Sequence, residues 1–186
     1  NKGGHFKMTV LMPPEGSHCQ PDAVKKCQQP DDHVHHTMRT ITTKSVAETT
    51  HVARELARSL TAGTHARVIA LVGDLGAGKT TFTQAFAVAL GVVDKVASPT
   101  FVILKIYELK KRIGFRHLIH IDAYRLASPG ELIHLGFNAC IKDRDAIVVI
   151  EWADRVRSLI PKDAIWISFA HGEQENVRAL TIAGHT

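Results

Sequence analysis

The sequence predicts an α/β fold with a mixed central sheet flanked by helices, and three observations carry that expectation. The apolar run Val68 to Val72 leads directly into Gly73-Asp-Leu-Gly-Ala-Gly78-Lys79-Thr80, which matches G-x-x-x-x-G-K-[ST] and opens a helix pattern at Lys79. Two further apolar runs each end in an acid, Leu118 to Asp122 and Ala146 to Glu151. Two pairs of strand-like segments, one after the glycine-rich loop and one at the end of the chain, are joined by links too short for a crossover helix, so both should be antiparallel hairpins.

In chain order, residues 1–37 form an extension without sustained periodicity, punctuated by Pro13, Pro14, Pro21 and Pro30. It is expected to be a disordered or non-native tail, with the domain spanning 38–186. Cys19, Cys27, His33, His35 and His36 lie there, but their spacing matches no standard zinc pattern. Arg39 to Thr43 alternates as a short strand. Ser45 and Glu48 make a capping box for an amphipathic helix that turns Val46, Val52, Ala53, Leu56 and Leu60 inward and stops at Gly63.

After the glycine-rich loop, a buried helix presents Phe82, Ala85, Phe86 and Ala89 and stops at Gly91. Ser98 to Phe101 is a loop, and Phe101 to Leu109 pairs with Arg116 to Asp122. Ser128, Pro129 and Glu131 start a short helix closed by Gly136. Ala146 to Ile150 is apolar throughout, as befits a strand buried on both faces. Asp154 to Leu159 is a brief helix, and Ala164 to Ala170 with Val177 to Ala183 form the last hairpin.

No apolar run approaches the roughly 20 residues that span a bilayer, and three cysteines, Cys19, Cys27 and Cys140, do not make a disulfide framework. The cytoplasm is the expected compartment. The formal charge of +5 lies beyond residue 37, because Lys2, Lys7, Lys25 and Lys26 cancel Glu15, Asp22, Asp31 and Asp32 in the tail. A mildly basic domain is compatible with nucleotide, RNA or an acidic protein and selects none of them.

A strand, a glycine turn and a helix N-terminus aim several backbone N–H groups at one point, and phosphate is the natural occupant. The motif assigns Lys79 to the β and γ phosphates and the Thr80 hydroxyl to a magnesium ion bridging them. If the strands ending at Asp122 and Glu151 run parallel to the one before the loop, both acids emerge at the same rim. Spacing does not divide labour between them, and either could instead cap a helix or pair with Arg125 or Arg155. Ser98 and Thr100 follow the loop's helix, where nucleotide switches place a segment sensing the γ-phosphate, although a Ser-Pro-Thr turn is also a common structural device.

Gly73 to Thr81, Ser98-Pro-Thr-Phe101, His120-Ile-Asp-Ala-Tyr-Arg125, Leu135-Gly-Phe137 and Glu151-Trp152 occur in an order that resembles the TsaE (YjeE) family, from about Ile41 to Ala183. The resemblance implies a single P-loop ATPase domain of tRNA threonylcarbamoyladenosine (t6A) synthesis. It would hydrolyse Mg-ATP to drive or reset the TsaB-TsaD complex, meet tRNA only through that complex, and be a monomer by itself. Carried onto matching positions, Leu75, Gly76, Ala77, Gly78, Lys79, Thr80 and Thr81 would hold the phosphates. Thr80 and Glu151 would bind the metal, and Asp122 would be the second acid, near the γ-phosphate. Catalysis would fall to Lys79, Asp122 and Glu151, with Ser98 and Thr100 as the sensing loop and Trp152 beside the acid. Ser45 falls near the family's adenine contact. His134, where an acid is more usual, and the basic Lys110-Lys111-Arg112 tip depart from the family pattern.

Two other readings compete. A small-molecule kinase would use the same loop, but also needs an Arg-rich lid and an acceptor pocket, for which the stretch after Tyr124 is short. A nucleic-acid-binding module would want basic residues interleaved with aromatics, and the chain shows no such stretch. A guanine-type Asn/Thr-Lys-x-Asp motif is absent between Ser98 and Thr186.

Overall fold

A computed structural model describes residues 38–110 and 114–184. The expectations for the tail, including its cysteines and histidines, and for Lys111 and Arg112 lie outside the described residues.

Seven strands make one sheet in the order β1-β7-β6-β2-β5-β4-β3. At its centre β2 (Arg67–Gly73) runs parallel to β5 (Ala146–Glu151) on one side and to β6 (Ile165–His171) on the other, and β5 runs parallel to β4 (His117–Asp122). Both expected hairpins form: β3 (Leu104–Glu108) pairs antiparallel with β4, and β6 with β7 (Arg178–Ala183). The first strand, β1 (Met38–Thr43), closes the other edge antiparallel to β7.

The central strands have a core on each side, which is why their sequences are apolar without alternation. Ile69, Leu71, Ile147, Val149 and Leu118 face α1 (Val46–Ser59) and α2 (Lys79–Leu90), together with Leu56, Phe82 and Phe86. Val68, Ala70, Val148, Ile150 and Ile121 face Leu132 of α3 (Pro129–His134), Phe137 of α4 (Phe137–Lys142) and Val156 of the 3-10 segment Ala153–Leu159.

Helix α1 is capped as its sequence suggests: the Ser45 hydroxyl accepts the Glu48 N–H at 3.2 Å. Glu48 returns to the Lys44 N–H at 2.8 Å, one residue earlier than a standard capping box. Two details differ from expectation. Val46 is exposed because it opens the helix beyond the edge of the core, and the helix ends at Ser59, with Leu60 already extended. Leu60 nonetheless packs into the core.

The segment 101–103 is a turn rather than the start of a strand. The Pro99 carbonyl accepts the N–H groups of Val102 and Ile103, and Ile103 takes φ 66°, so pairing begins only at Leu104. Gly136 does stop α3, at φ 86°, but it also opens α4, a helix the sequence did not announce.

Candidate functional site

The turn from β2 into α2 starts with a glycine for a steric reason. A Cβ on Gly73 would lie 2.3 Å from the Phe169 carbonyl oxygen on β6, and the residue holds φ 139°. Gly76 and Gly78 have φ of 75° and 103°, with open space where their side chains would be. That space is the cleft side of the loop, and their positive φ values let the chain turn there without Cβ strain.

Two strands, a helix and a loop then bring polar groups to the same rim. Asp122 and Glu151 are partners in the parallel β4–β5 register, so both side chains leave the sheet on one face, at its carboxyl edge. Glu151 Oε2 accepts the Thr80 hydroxyl at 2.7 Å, and Glu151 Oε1 lies 2.9 Å from His120 Nε2. Asp122 Oδ2 accepts the hydroxyls of Ser98 at 2.6 Å and Thr100 at 2.5 Å, while Oδ1 accepts the Tyr124 N–H at 3.0 Å. Ser98 and Thr100 also approach each other at 2.7 Å.

Lys79 Nζ donates to the carbonyls of Gly73 at 2.6 Å and Asp74 at 2.7 Å and sits 3.9 Å from the centre of the Trp152 ring. Burial holds its ammonium below the ordinary value of 10.5, while Glu151, Asp122, Asp154 and Asp74 pull in the opposite direction. A cation in that position is poorly hydrated and close to the glycine turn, which suits it to meet an incoming polyanion.

The result is an open cleft of about 360 Å³ lined by Leu75, Gly76, Gly78, Lys79, Thr80 and Thr81 from the loop and helix, with Ser98, Thr100, Asp122, Tyr124, Glu151 and Trp152 opposite. Of the residues assigned to the nucleotide site from the sequence, Ala77 and Ser45 are not in this lining. Ala77 is buried in the core and gives its N–H to the Asp74 carbonyl, and Ser45 caps α1.

Three contributors were not assigned a role from the sequence. Tyr124 packs against Trp152 with ring centres 4.9 Å apart and planes tilted by 45°, and it lines the cleft. Arg178 reaches from β7 to the Gly76 carbonyl at 3.4 Å. His120 is fully buried beneath Glu151. Backbone strain marks the same place: Ile103 and Trp152, the two non-glycine residues with positive φ among the described residues, follow the Ser98 loop and Glu151 respectively.

Comparison with known proteins agrees with this geometry. Residues 43–180 match the family model described as threonylcarbamoyl adenosine biosynthesis protein TsaE. Proteins named tRNA threonylcarbamoyladenosine biosynthesis protein TsaE are similar to the chain. That of Treponema pallidum is 38% identical over 111 residues, covering 58% of this chain and 78% of the relative. That of Streptomyces coelicolor is 34% identical over 138 residues, covering 72% and 88%. Among solved structures, the crystal structure of Bacillus subtilis YdiB superposes with a TM-score of 0.64 at 28% identity, covering 80% of this chain and 86% of that one.

Proposed function

The chain belongs to the TsaE family and has a role in tRNA threonylcarbamoyladenosine biosynthesis, and on that premise we propose that it works there as a Mg-ATP hydrolase that drives or resets the TsaB-TsaD complex. The observation that carries this reading is the 2.7 Å contact between Thr80 and Glu151 beside Lys79. A hydroxyl from the loop's helix and a carboxylate from a neighbouring strand tip form a small all-oxygen donor set, which suits a hard cation. Two donors are too few to hold magnesium strongly by themselves, so the phosphates and water would complete its shell.

Thr80 and Glu151 would hold the ion. A magnesium ion held there would supply positive charge to offset the negative charge that develops during phosphoryl transfer. Lys79 would turn from the Gly73 and Asp74 carbonyls toward the β and γ phosphates, and the N–H groups of the loop from Leu75 to Thr81 would cradle them. Asp122 is occupied by Ser98, Thr100 and Tyr124, so its part is to tie the sensing loop to the rim where the γ-phosphate would lie. Loss of that phosphate would change the loop's environment and with it the affinity for the partner complex. Couplings of about 1 to 3 kcal/mol, roughly 5- to 150-fold, are typical of such switches.

The working unit is residues 38–186, acting in the cytoplasm as a monomer until it meets TsaB-TsaD. Among the described residues no helix is long and apolar enough to cross a membrane. Incubating the chain with ATP, Mg²⁺, TsaB and TsaD should release inorganic phosphate, and Lys79→Ala should abolish the release. Undiminished hydrolysis by the variant complex would refute the site. Transfer of the phosphate to a small molecule would point to a kinase instead.

A further inference from the structure

We propose that His120 is a positioning residue that orients Glu151 toward the metal through a single hydrogen bond. The inference rests on the Mg-ATP reading and concerns what makes that site selective for one carboxylate geometry.

His120 is fully buried within the apolar β4 strand, two residues before Asp122 and on the same face. Its Nε2 lies 2.9 Å from Glu151 Oε1, and among the described residues its Nδ1 has no hydrogen-bond partner. A carboxylate only accepts, so Nε2 is the donor and carries the proton. Burying an imidazole with one nitrogen unsatisfied costs stability that an aliphatic side chain at this position would avoid. Its sole polar contact among the described residues, with Glu151, is therefore the reason to have it there.

That contact divides the two oxygens of Glu151. Oε1 is held from below by His120, which leaves Oε2 directed at Thr80. Without the clamp, the carboxylate plane would swing away from this orientation, because such sp³–sp² torsions are broad. A metal ligand that must first be ordered binds more weakly, and loss of a partner that orients a ligand commonly lowers metal affinity 10- to 100-fold.

Two substitutions separate clamp from filler. Gln places its amide nitrogen as many bonds from Cα as Nε2, whereas Asn reaches only as far as Nδ1. Both are polar and neutral, so a general structural role would not distinguish them in this way. The measurement is binding of β,γ-imido-ATP to the full chain by calorimetry, in EDTA and in saturating Mg²⁺, with thermal unfolding as the folding control. The wild type should bind more tightly with Mg²⁺. His120→Asn should lose about 10-fold or more of that gain while binding as the wild type does in EDTA, and His120→Gln should keep the gain to within about threefold of the wild type.

The proposal is overturned if His120→Asn retains the full gain or if His120→Gln loses as much as Asn. If His120→Asn does not fold, His120→Leu, which fills the site without a donor, takes its place: a lost gain with intact binding in EDTA supports the clamp, and a retained gain overturns it. A wild type without any Mg²⁺ gain would remove the Mg-ATP reading and the clamp together, whereas a wild-type gain matched by His120→Asn would remove the clamp alone.

Discussion

Asp122 and Glu151 are directly registered neighbours on β4 and β5, yet among the described residues their carboxylates share no hydrogen-bond partner. Glu151 is engaged by the helix that follows the glycine loop, and Asp122 by the segment that follows that helix. One strand step thus separates a carboxylate tied to the loop's helix from one tied to the Ser98 segment.

Lys79 gives a pH signature. Its folded pKa lies below the ordinary value of 10.5, with burial the leading cause. Between those two values the unfolded chain binds more protons than the folded one, so stability rises with pH through that window. Lys79→Met has no such group. In nucleotide-free protein, the unfolding free energy of the wild type minus that of Lys79→Met should therefore increase as pH approaches 10.5 and level off above it. Chemical denaturation of both proteins across that range checks this, and a flat or falling difference would contradict it.

The glycines of the loop should not be equivalent. Gly73→Ala must move the Phe169 carbonyl from 2.3 Å and adopt φ 139°, so it should unfold the protein or lower its stability by more than about 3 kcal/mol. Gly76→Ala meets no atom within 4 Å and pays only the left-handed backbone strain, about 1 to 2 kcal/mol. Thermal unfolding of the two variants should rank them in that order.

Thr80→Val keeps the shape of the side chain and removes the donor to Glu151, which is 2% exposed. A buried acceptor left without this partner costs about 1 to 3 kcal/mol. Thr80→Ser retains the hydroxyl and should recover most of that loss in nucleotide-free unfolding. Equal stability of the Val and Ser variants would mean that the contact contributes nothing.

Much of this was legible because burial on both faces leaves a plain trace. The runs Val68 to Val72 and Ala146 to Ile150 read as central strands, and an acid or a glycine loop at their ends marks the rim. Other features left little trace. Helix α4 has six residues and one buried side chain, Phe137, too few for a helical period to emerge. Phe101 to Ile103 has strand-like composition, but two N–H groups captured by the Pro99 carbonyl divert the backbone and expose Phe101 and Val102. His120 is one polar residue in an apolar strand, and its partner is 31 positions away, so only the folded sheet reveals what it holds.

The Ser98, Thr100 and Asp122 cluster should be non-additive in a specific direction. Three oxygens meet at 2.5 to 2.7 Å with only two hydroxyl protons among them. If both protons go to Asp122, the hydroxyl oxygens face each other without a bond. Removing one hydroxyl relieves that repulsion and leaves the other bond intact, so each single change should cost less than half of the double. Hydrogen bonds to a charged acceptor are worth about 1.5 to 3 kcal/mol. Asp122→Asn, whose amide cannot accept two hydroxyls at the nitrogen, should loosen the loop further than either single change. The readout is native-state exchange of the Val102 and Ile103 amides, which are held by Pro99 within the same segment. Protection lost in Ser98→Ala plus that lost in Thr100→Ala should fall short of the loss in the double variant. Simple additivity would mean that the two hydroxyls act independently and that the segment is not a single latch on Asp122.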